Sequence, residues 1–250
     1  MPGLGHRGAT AAESVVNVHD LHRWDVSPAE ARGIQEELSE RVILDDALAL
    51  ADVRTVAGVD NTYVKRDGEM IAFAVVVVLS FPDLEVVETV FAMGRVSFPY
   101  VPGLLSFREA PAVLEAFRRV TTAPDAILFD GQGYAHPRRF GLASHLGLLL
   151  DRPSVGCAKS RLIGTYEEPE RVFGAQTPLV DRGEIVGAAV RSRPRRAPLF
   201  VSPGHKVSVK GAVALALVCC RDGGFMPVPT SLAHEAVTER ARGEQDGGAA

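Results

Sequence analysis

Three carboxylates stand at or near the ends of apolar segments of this chain. Hard oxygen ligands of that kind suit Mg²⁺ or Mn²⁺ and the hydrolysis of phosphate esters. Asp60 follows Thr55-Val56-Ala57-Gly58-Val59, and Asp130 follows Ala126-Ile127-Leu128-Phe129. A carboxylate that continues an apolar strand is costly unless it is paired or binds a metal, and open α/β sheets hold their ligands at the carboxyl ends of strands. Each also reads as a turn residue, in Asp60-Asn61 and Asp130-Gly131, although Asp67-Gly68 already supplies a hairpin turn after Asp60. Glu109, in Ser106-Phe107-Arg108-Glu109, has capping-box spacing. Pro111 argues instead for a helix beginning near residue 110, with Glu109 at its mouth and its carboxylate free. His205, in Pro203-Gly204-His205-Lys206, is either a structural histidine or the group that completes the set, and His136 beside Pro137-Arg138 has the same two readings. Gly131-Gln132-Gly133-Tyr134-Ala135-His136 departs from a dinucleotide fingerprint at its third glycine, so a tight turn allowing close backbone approach is the better reading.

The elements that must position these groups follow from periodicity and turn residues. Ser27-Pro28 opens a helix expected over 27–50. Strands are expected at 55–60, 71–79 and 85–96, the first two joined through Asp67-Gly68. The second is apolar throughout, so both its faces should be covered. A helix over 111–120, a strand over 126–130, a helix over 142–150 and a strand over 154–158 follow. Strands at 185–190 and 199–202 flank the turn Pro194-Arg195-Arg196, and a helix over 209–220 closes the fold. That order predicts an α/β fold with a mixed sheet, opened by an antiparallel hairpin and continued by helix crossovers, as in ribonuclease H-like proteins. Residues 1–25 and 233–250 are polar and aperiodic and are expected to be disordered, leaving a single catalytic domain over 26–232.

Net charge is −4, so a nucleic-acid coat over the whole surface is excluded and any such site is a local patch. Candidate patches are Arg138-Arg139, Lys159 with Arg161, and Arg191, Arg193, Arg195 and Arg196. No apolar run reaches the roughly 18 residues of a membrane span, and no signal-peptide core is present near the start. Cys157, Cys219 and Cys220 have neither zinc-ligand nor disulfide-framework spacing, which predicts a reducing, cytoplasmic setting.

Two long blocks and several short ones resemble the endonuclease V family of deoxyinosine-directed nucleases. They are Pro99-Tyr100-Val101-Pro102-Gly103-Leu104-Leu105-Ser106-Phe107-Arg108-Glu109, the run from Asp130 to His145, Gly156-Cys157-Ala158-Lys159-Ser160-Arg161-Leu162, Gly204-His205-Lys206-Val207-Ser208, and Gly58-Val59-Asp60. The resemblance spans about residues 27 to 230 and implies a ribonuclease H-like fold. It implies that Asp60, Glu109 and Asp130 bind Mg²⁺ (with Mn²⁺ as a substitute), that His205 is the catalytic histidine, and that Lys159 lies at the active site. Tyr100 matches the family's wedge tyrosine; its other reading is core packing beneath a loop stiffened by two prolines. Leu105, Gly133, Gly141, Leu142 and Leu162 match the lining of the pocket for a flipped hypoxanthine, and His136 and Arg138 fall in the same substrate-binding block. The implied reaction cuts the second phosphodiester 3′ to the lesion in DNA, leaving 3′-hydroxyl and 5′-phosphate ends, in a monomeric enzyme without a membrane partner. An inosine-specific endoribonuclease, a metal-dependent phosphatase or nucleotide hydrolase, and a non-catalytic nucleic-acid-binding module are the alternatives.

Overall fold

The computed structural model describes residues 15–47, 49–221 and 224–247. Eight strands form one mixed sheet, flanked by helices on both faces. The strands are β1 (Thr55–Arg66), β2 (Glu69–Ser80), β3 (Val86–Arg95), β4 (Ala126–Phe129), β5 (Ser154–Ala158), β6 (Gln176–Asp181), β7 (Glu184–Val190) and β8 (Leu199–His205). Their order across the sheet is β3-β2-β1-β4-β5-β8-β7-β6. β1, β4 and β5 run parallel, and the remaining neighbours are antiparallel. The helices are α1 (Pro28–Ser39), α2 (Leu105–Phe117), α3 (Leu142–Leu150), α4 (Val209–Cys219) and α5 (Val228–Gly247).

The hairpin turns on Asp67 and Gly68, both at positive φ, as a two-residue turn with the twist of the flanking strands requires. β2 is buried without a break from Ala72 to Leu79 because each face has its own cover. Phe73, Val75, Val77 and Leu79 pack with residues of α4 and α5, while Ala72, Ala74, Val76 and Val78 pack with residues of α2 and α3. The parallel register sets Val59 beside Phe129, which brings Asp60 and Asp130 to the same level.

Several expectations are corrected. The first helix ends at Ser39, well before residue 50. β1 does not stop at Asp60 but runs on to Arg66, so Asp60 is an in-strand residue. α2 begins at Leu105 and carries Pro111 inside it, with no side-chain cap, so Glu109 lies within the helix and neither caps it nor sits at its mouth. Burial of Phe107, Ala110, Val113, Leu114 and Phe117 outweighs the hydrogen bond that the proline cannot donate. β6 escaped the sequence pattern because an edge strand with one buried residue, Leu179, and a proline shows no alternation.

Both terminal assignments also change. Residues 15–25 pack on the domain: Val16 is buried, and Trp24 lies against Phe107 and His145. The expectation for 1–14 lies outside the described residues. The polar 233–250 segment is helix α5 as far as Gly247. A narrow stripe of Ala233, Val237 and Ala241, spaced four residues apart, enters the core with Ala236 packed at its edge, so the segment's average composition resembled a tail. Gly58 permits that docking, since a Cβ there would lie 1.9 Å from the Pro229 carbonyl oxygen.

Candidate active site

Asp60 from β1, Glu109 from α2 and Asp130 from the end of β4 converge near the carboxyl ends of the parallel strands, close enough for their charges to interact. Burial raises the proton affinity of Asp60, and the Asp130 charge adds to the effect, against hydrogen bonds from His234 and the Asn61 amide. Burial pushes Glu109 up to about 7, with the Asp60 and Asp130 charges contributing and the Tyr63 hydroxyl opposing. Each carboxylate is held by a different partner. Asp60 Oδ2 is 2.8 Å from His234 Nδ1, Glu109 Oε1 accepts from the Tyr63 hydroxyl at 3.1 Å, and Asp130 Oδ2 accepts from Lys159 Nζ at 2.5 Å.

Among the described residues, no three His, Cys, Asp or Glu side chains form a ready-made metal cage in this arrangement. The donor set nevertheless fits a divalent cation. Two partly buried carboxylates carry raised proton affinities and a third adds like charge, so a hard cation would relieve both desolvation and repulsion. This has a measurable consequence without metal. Between Glu109's ordinary 4.5 and its raised value of about 7, the folded chain holds a proton that the unfolded chain has released. Metal-free stability from this group therefore falls as pH rises through that window. Thermal melts in chelator should show the wild type losing stability, relative to Glu109→Gln, between about pH 4.5 and 7, the interval from the unfolded to the folded pKa; parallel pH curves for the two proteins would refute the assignment.

His205 is not in this group, which corrects the expectation drawn from its sequence block. It pairs with Ser154 at the start of β5, while the site lies past the end of that strand, about 13 Å away at 3.3 Å per residue. Its ring is buried, with Nδ1 accepting from the Ile43 amide at 3.3 Å and Nε2 3.5 Å from Asp151. Burial holds its pKa below the ordinary value. The adjoining Gly204 serves packing, since a Cβ there would meet Ser154 Oγ at 2.3 Å. The histidine at the carboxylates is His234, on α5. Sequence reasoning missed it by ending the domain at 232; the available signal was the four-residue spacing of small residues that begins at Ala233. Tyr63, which orders Glu109 and has the Arg108 guanidinium 4.7 Å above its ring, was also missed.

Beside the carboxylates lies a cleft of about 450 Å³. Asp130 and Lys159 border it, and Leu105, His136, Gly141, Leu142 and Leu162 line it. Tyr100 stands at its lip, 71% exposed. That exposure removes the core-packing reading of Tyr100. Two expected lining residues are corrected to supporting ones. Gly133 packs under the cleft, its amide bonded to Ser202 Oγ and its Cα against the Pro203 carbonyl, with no room for a Cβ. Arg138 lies behind the wall, donating to the Gly103 carbonyl at 2.8 Å and to Gln35 Oε1 at 2.6 Å. The Gly103 carbonyl also accepts from Gln35 Nε2 and His136 Nε2, both at 3.1 Å. Burial, with the Arg138 charge, lowers His136 to about 4, so the ring is neutral and its Nε2 proton is committed to this bond. The Pro99-to-Gly103 loop is thereby anchored at its last residue before any ligand arrives.

The basic clusters divide in the same way. Arg139 is tied to Asp181 and Glu184, and Arg191 is buried on Glu168 and neighbouring carbonyls, so neither is a free phosphate ligand. Arg193, Arg195 and Arg196 are exposed.

A family model described as Endonuclease V matches residues 36–235. An endonuclease V from Roseiflexus sp. (strain RS-1) is 54% identical over 196 residues, covering 78% of this chain and 86% of that protein. The crystal structure of the Bacillus subtilis endonuclease V superposes with a TM-score of 0.88 at 32% identity, covering 92% of this chain and 99% of that one. A Ciona intestinalis endonuclease V, in complex with a 24mer DNA containing an inosine followed by a ribo-adenosine, superposes with a TM-score of 0.73 at 28% identity, covering 86% of this chain and 97% of that one.

Proposed function

The chain belongs to the endonuclease V family, and from that premise we propose that the carboxylate cluster and the adjoining cleft described above are its working site. It is a ribonuclease H-like endonuclease that hydrolyses phosphodiester bonds at deaminated bases, a DNA-repair activity. The observation that carries the residue-level reading is the placement of Asp130 at the border of a cleft lined by leucine side chains and Gly141, with Asp60 and Glu109 close enough for their charges to interact with it, at one end of one sheet. In our reading the cleft takes hypoxanthine from DNA, and the bond cut is the second phosphodiester 3′ to it, leaving 3′-hydroxyl and 5′-phosphate ends. The enzyme would act as a monomer in the cytoplasm, where three free, buried cysteines are at home. Among the described residues, no helix is long and apolar enough to cross a membrane.

The family's reaction depends on a divalent metal, and Asp60, Glu109 and Asp130 would hold Mg²⁺ here. Such an ion supplies Lewis acidity, lowering the proton affinity of water and offsetting charge on the phosphate oxygens. The chain's own groups do the rest. Lys159, half-exposed beside Asp130, would place its ammonium on a non-bridging phosphate oxygen. His234 fixes Asp60 through Nδ1, and its Nε2, without a partner among the described residues, is free to take or return a proton. Leu105, Leu142 and Leu162 would exclude water from the flipped base. Guanine's exocyclic amine would be left unpaired against such a wall, worth about 1–3 kcal/mol of discrimination.

The test is cleavage of matched DNA and RNA strands, each with one inosine, with the product ends mapped. The reading requires faster cutting of the DNA strand one bond beyond the nearest 3′ phosphodiester. Preferential cutting of RNA would make the endoribonuclease the right assignment, and cutting without regard to inosine would remove the lesion reading. Tyr100 provides a second check. A stacked aromatic ring is worth about 1–3 kcal/mol, so Tyr100→Ala should weaken binding to inosine duplex by that amount. Its melting temperature should stay near wild type because the ring is exposed. The loss should be smaller on single strands, which have less stacking to break, and Tyr100→Phe should keep most of the affinity. A large drop in melting temperature with normal binding would return Tyr100 to a packing role.

A further inference from the structure

The β7–β8 turn lies at the same end of the sheet as the carboxylates, because Ala158, Phe200 and Ala189 are level across β5, β8 and β7. Gln176, which opens β6, pairs with Val190, so the segment before β6 reaches that end too. These two loops are fastened together. The Gly174 amide donates to the Arg191 carbonyl at 2.9 Å, and the Arg191 amide donates to the Ala175 carbonyl at 2.8 Å. The buried Arg191 guanidinium joins Glu168 and the Pro169 carbonyl on one loop to the Arg196 carbonyl on the other. Beyond this fastening project Val172 and Phe173, 55% and 53% exposed. Arg171 directly precedes them, and Arg193, Arg195 and Arg196 lie on the β7–β8 loop fastened to theirs, all exposed and with no side-chain partner among the described residues; Glu170 is the nearest exposed carboxylate in sequence.

A large apolar side chain left in water at the tip of a loop fastened to its neighbour, on the same face as unpaired guanidinium groups, suits duplex nucleic acid, whose phosphates pair with guanidinium and whose groove admits an apolar wedge. We propose that Phe173 and Val172, with these arginines, form a second nucleic-acid contact that grips the DNA away from the lesion. The inference rests on the proposed function. Three strand spacings separate β5 from β6 and four separate β4 from it, about 14–19 Å. At 3.4 Å per base pair, the tip would meet the duplex roughly four to six base pairs from the cleft. Charge complementarity and continuity with the face that carries the site favour DNA over a second copy of this chain.

The experiment measures binding of inosine duplexes in Ca²⁺, with flanks lengthened from about three to about twelve base pairs on one side and then the other. Wild-type affinity should rise at a flank of roughly four to six base pairs on one side only. Phe173→Ala should lose that increment, about five-fold or more. It should melt normally and bind and cut the shortest inosine duplex as wild type does, and Phe173→Trp should keep the increment. Arg195→Ala with Arg196→Ala should lower the salt dependence on long duplexes by about one unit of slope per lost phosphate contact. The same length dependence in wild type and Phe173→Ala would overturn the contact while leaving the proposed function standing. A wild type that neither binds nor cuts inosine strands selectively at any length would overturn both. A variant that breaks up a dimer yet binds long duplexes normally would make the tip a self-association surface instead.

Discussion

Asp60→Asn, Glu109→Gln and Asp130→Asn should each reduce cleavage of an inosine-containing strand by on the order of 10²–10³-fold or more. Each substitution keeps the volume of the side chain and removes one negative charge from a cluster that is otherwise short of cations. Among the described residues, Lys159, which donates to Asp130, is the one lysine or arginine hydrogen-bonded to any of the three carboxylates. The loss should therefore appear in turnover, with melting temperatures unchanged or raised. Glu109→Gln in particular removes a carboxylate that burial already disfavours when charged. Excess chelator should produce the same loss in the wild type. Ca²⁺ should restore binding more than cutting, because its looser coordination positions water poorly. Full activity in any one variant with Mg²⁺ present would take that residue out of the site, and cutting in chelator would sink the metal mechanism.

The second large effect separates two histidines. His234→Ala should lower kcat by about 10²–10⁴-fold, the range for a positioned proton-transfer group, and change the pH profile of turnover, with KM little altered. His205→Ala should do the reverse. It deletes a buried ring that packs between Ile43, Ser154 and Asp151, so it should cost about 1–3 kcal/mol of stability. Turnover measured well below its melting temperature should stay near wild type. If His205→Ala stops catalysis in a folded protein while His234→Ala does not, the histidine at the carboxylates would have to be reassigned.

The local signals that the chain carries in consecutive residues held up in the structure. The strand Ala126–Phe129 ending in Asp130, the helix Leu142–Leu150, the strand Ser154–Ala158 and the hairpin on Asp67-Gly68 all stand where periodicity and turn chemistry put them. Such elements are legible because short-range steric and burial rules act within a window of a few residues. Glu109 was harder to read. Pro111 is a strong local signal for a helix start, and it was overridden by the burial of a helical face that begins at Leu105.

From the sequence alone came the residue types: three hard carboxylates, a lysine, a proline-stiffened tyrosine loop and a glycine turn suited to close backbone approach. The tertiary structure decided which of them meet. His205 and His234 are indistinguishable as isolated letters, yet one lies at the wrong end of β5 and the other is delivered to Asp60 by a helix that docks only because Gly58 has no side chain. Arg138 and Arg193 are likewise the same residue, one spent on holding the Gly103 carbonyl and the other left free in water. Charge and hydrogen-bonding capacity belong to the residue and can be read in one dimension. Partners, burial and the resulting proton affinities depend on which distant segments the sheet order sets side by side, and only the folded chain determines that.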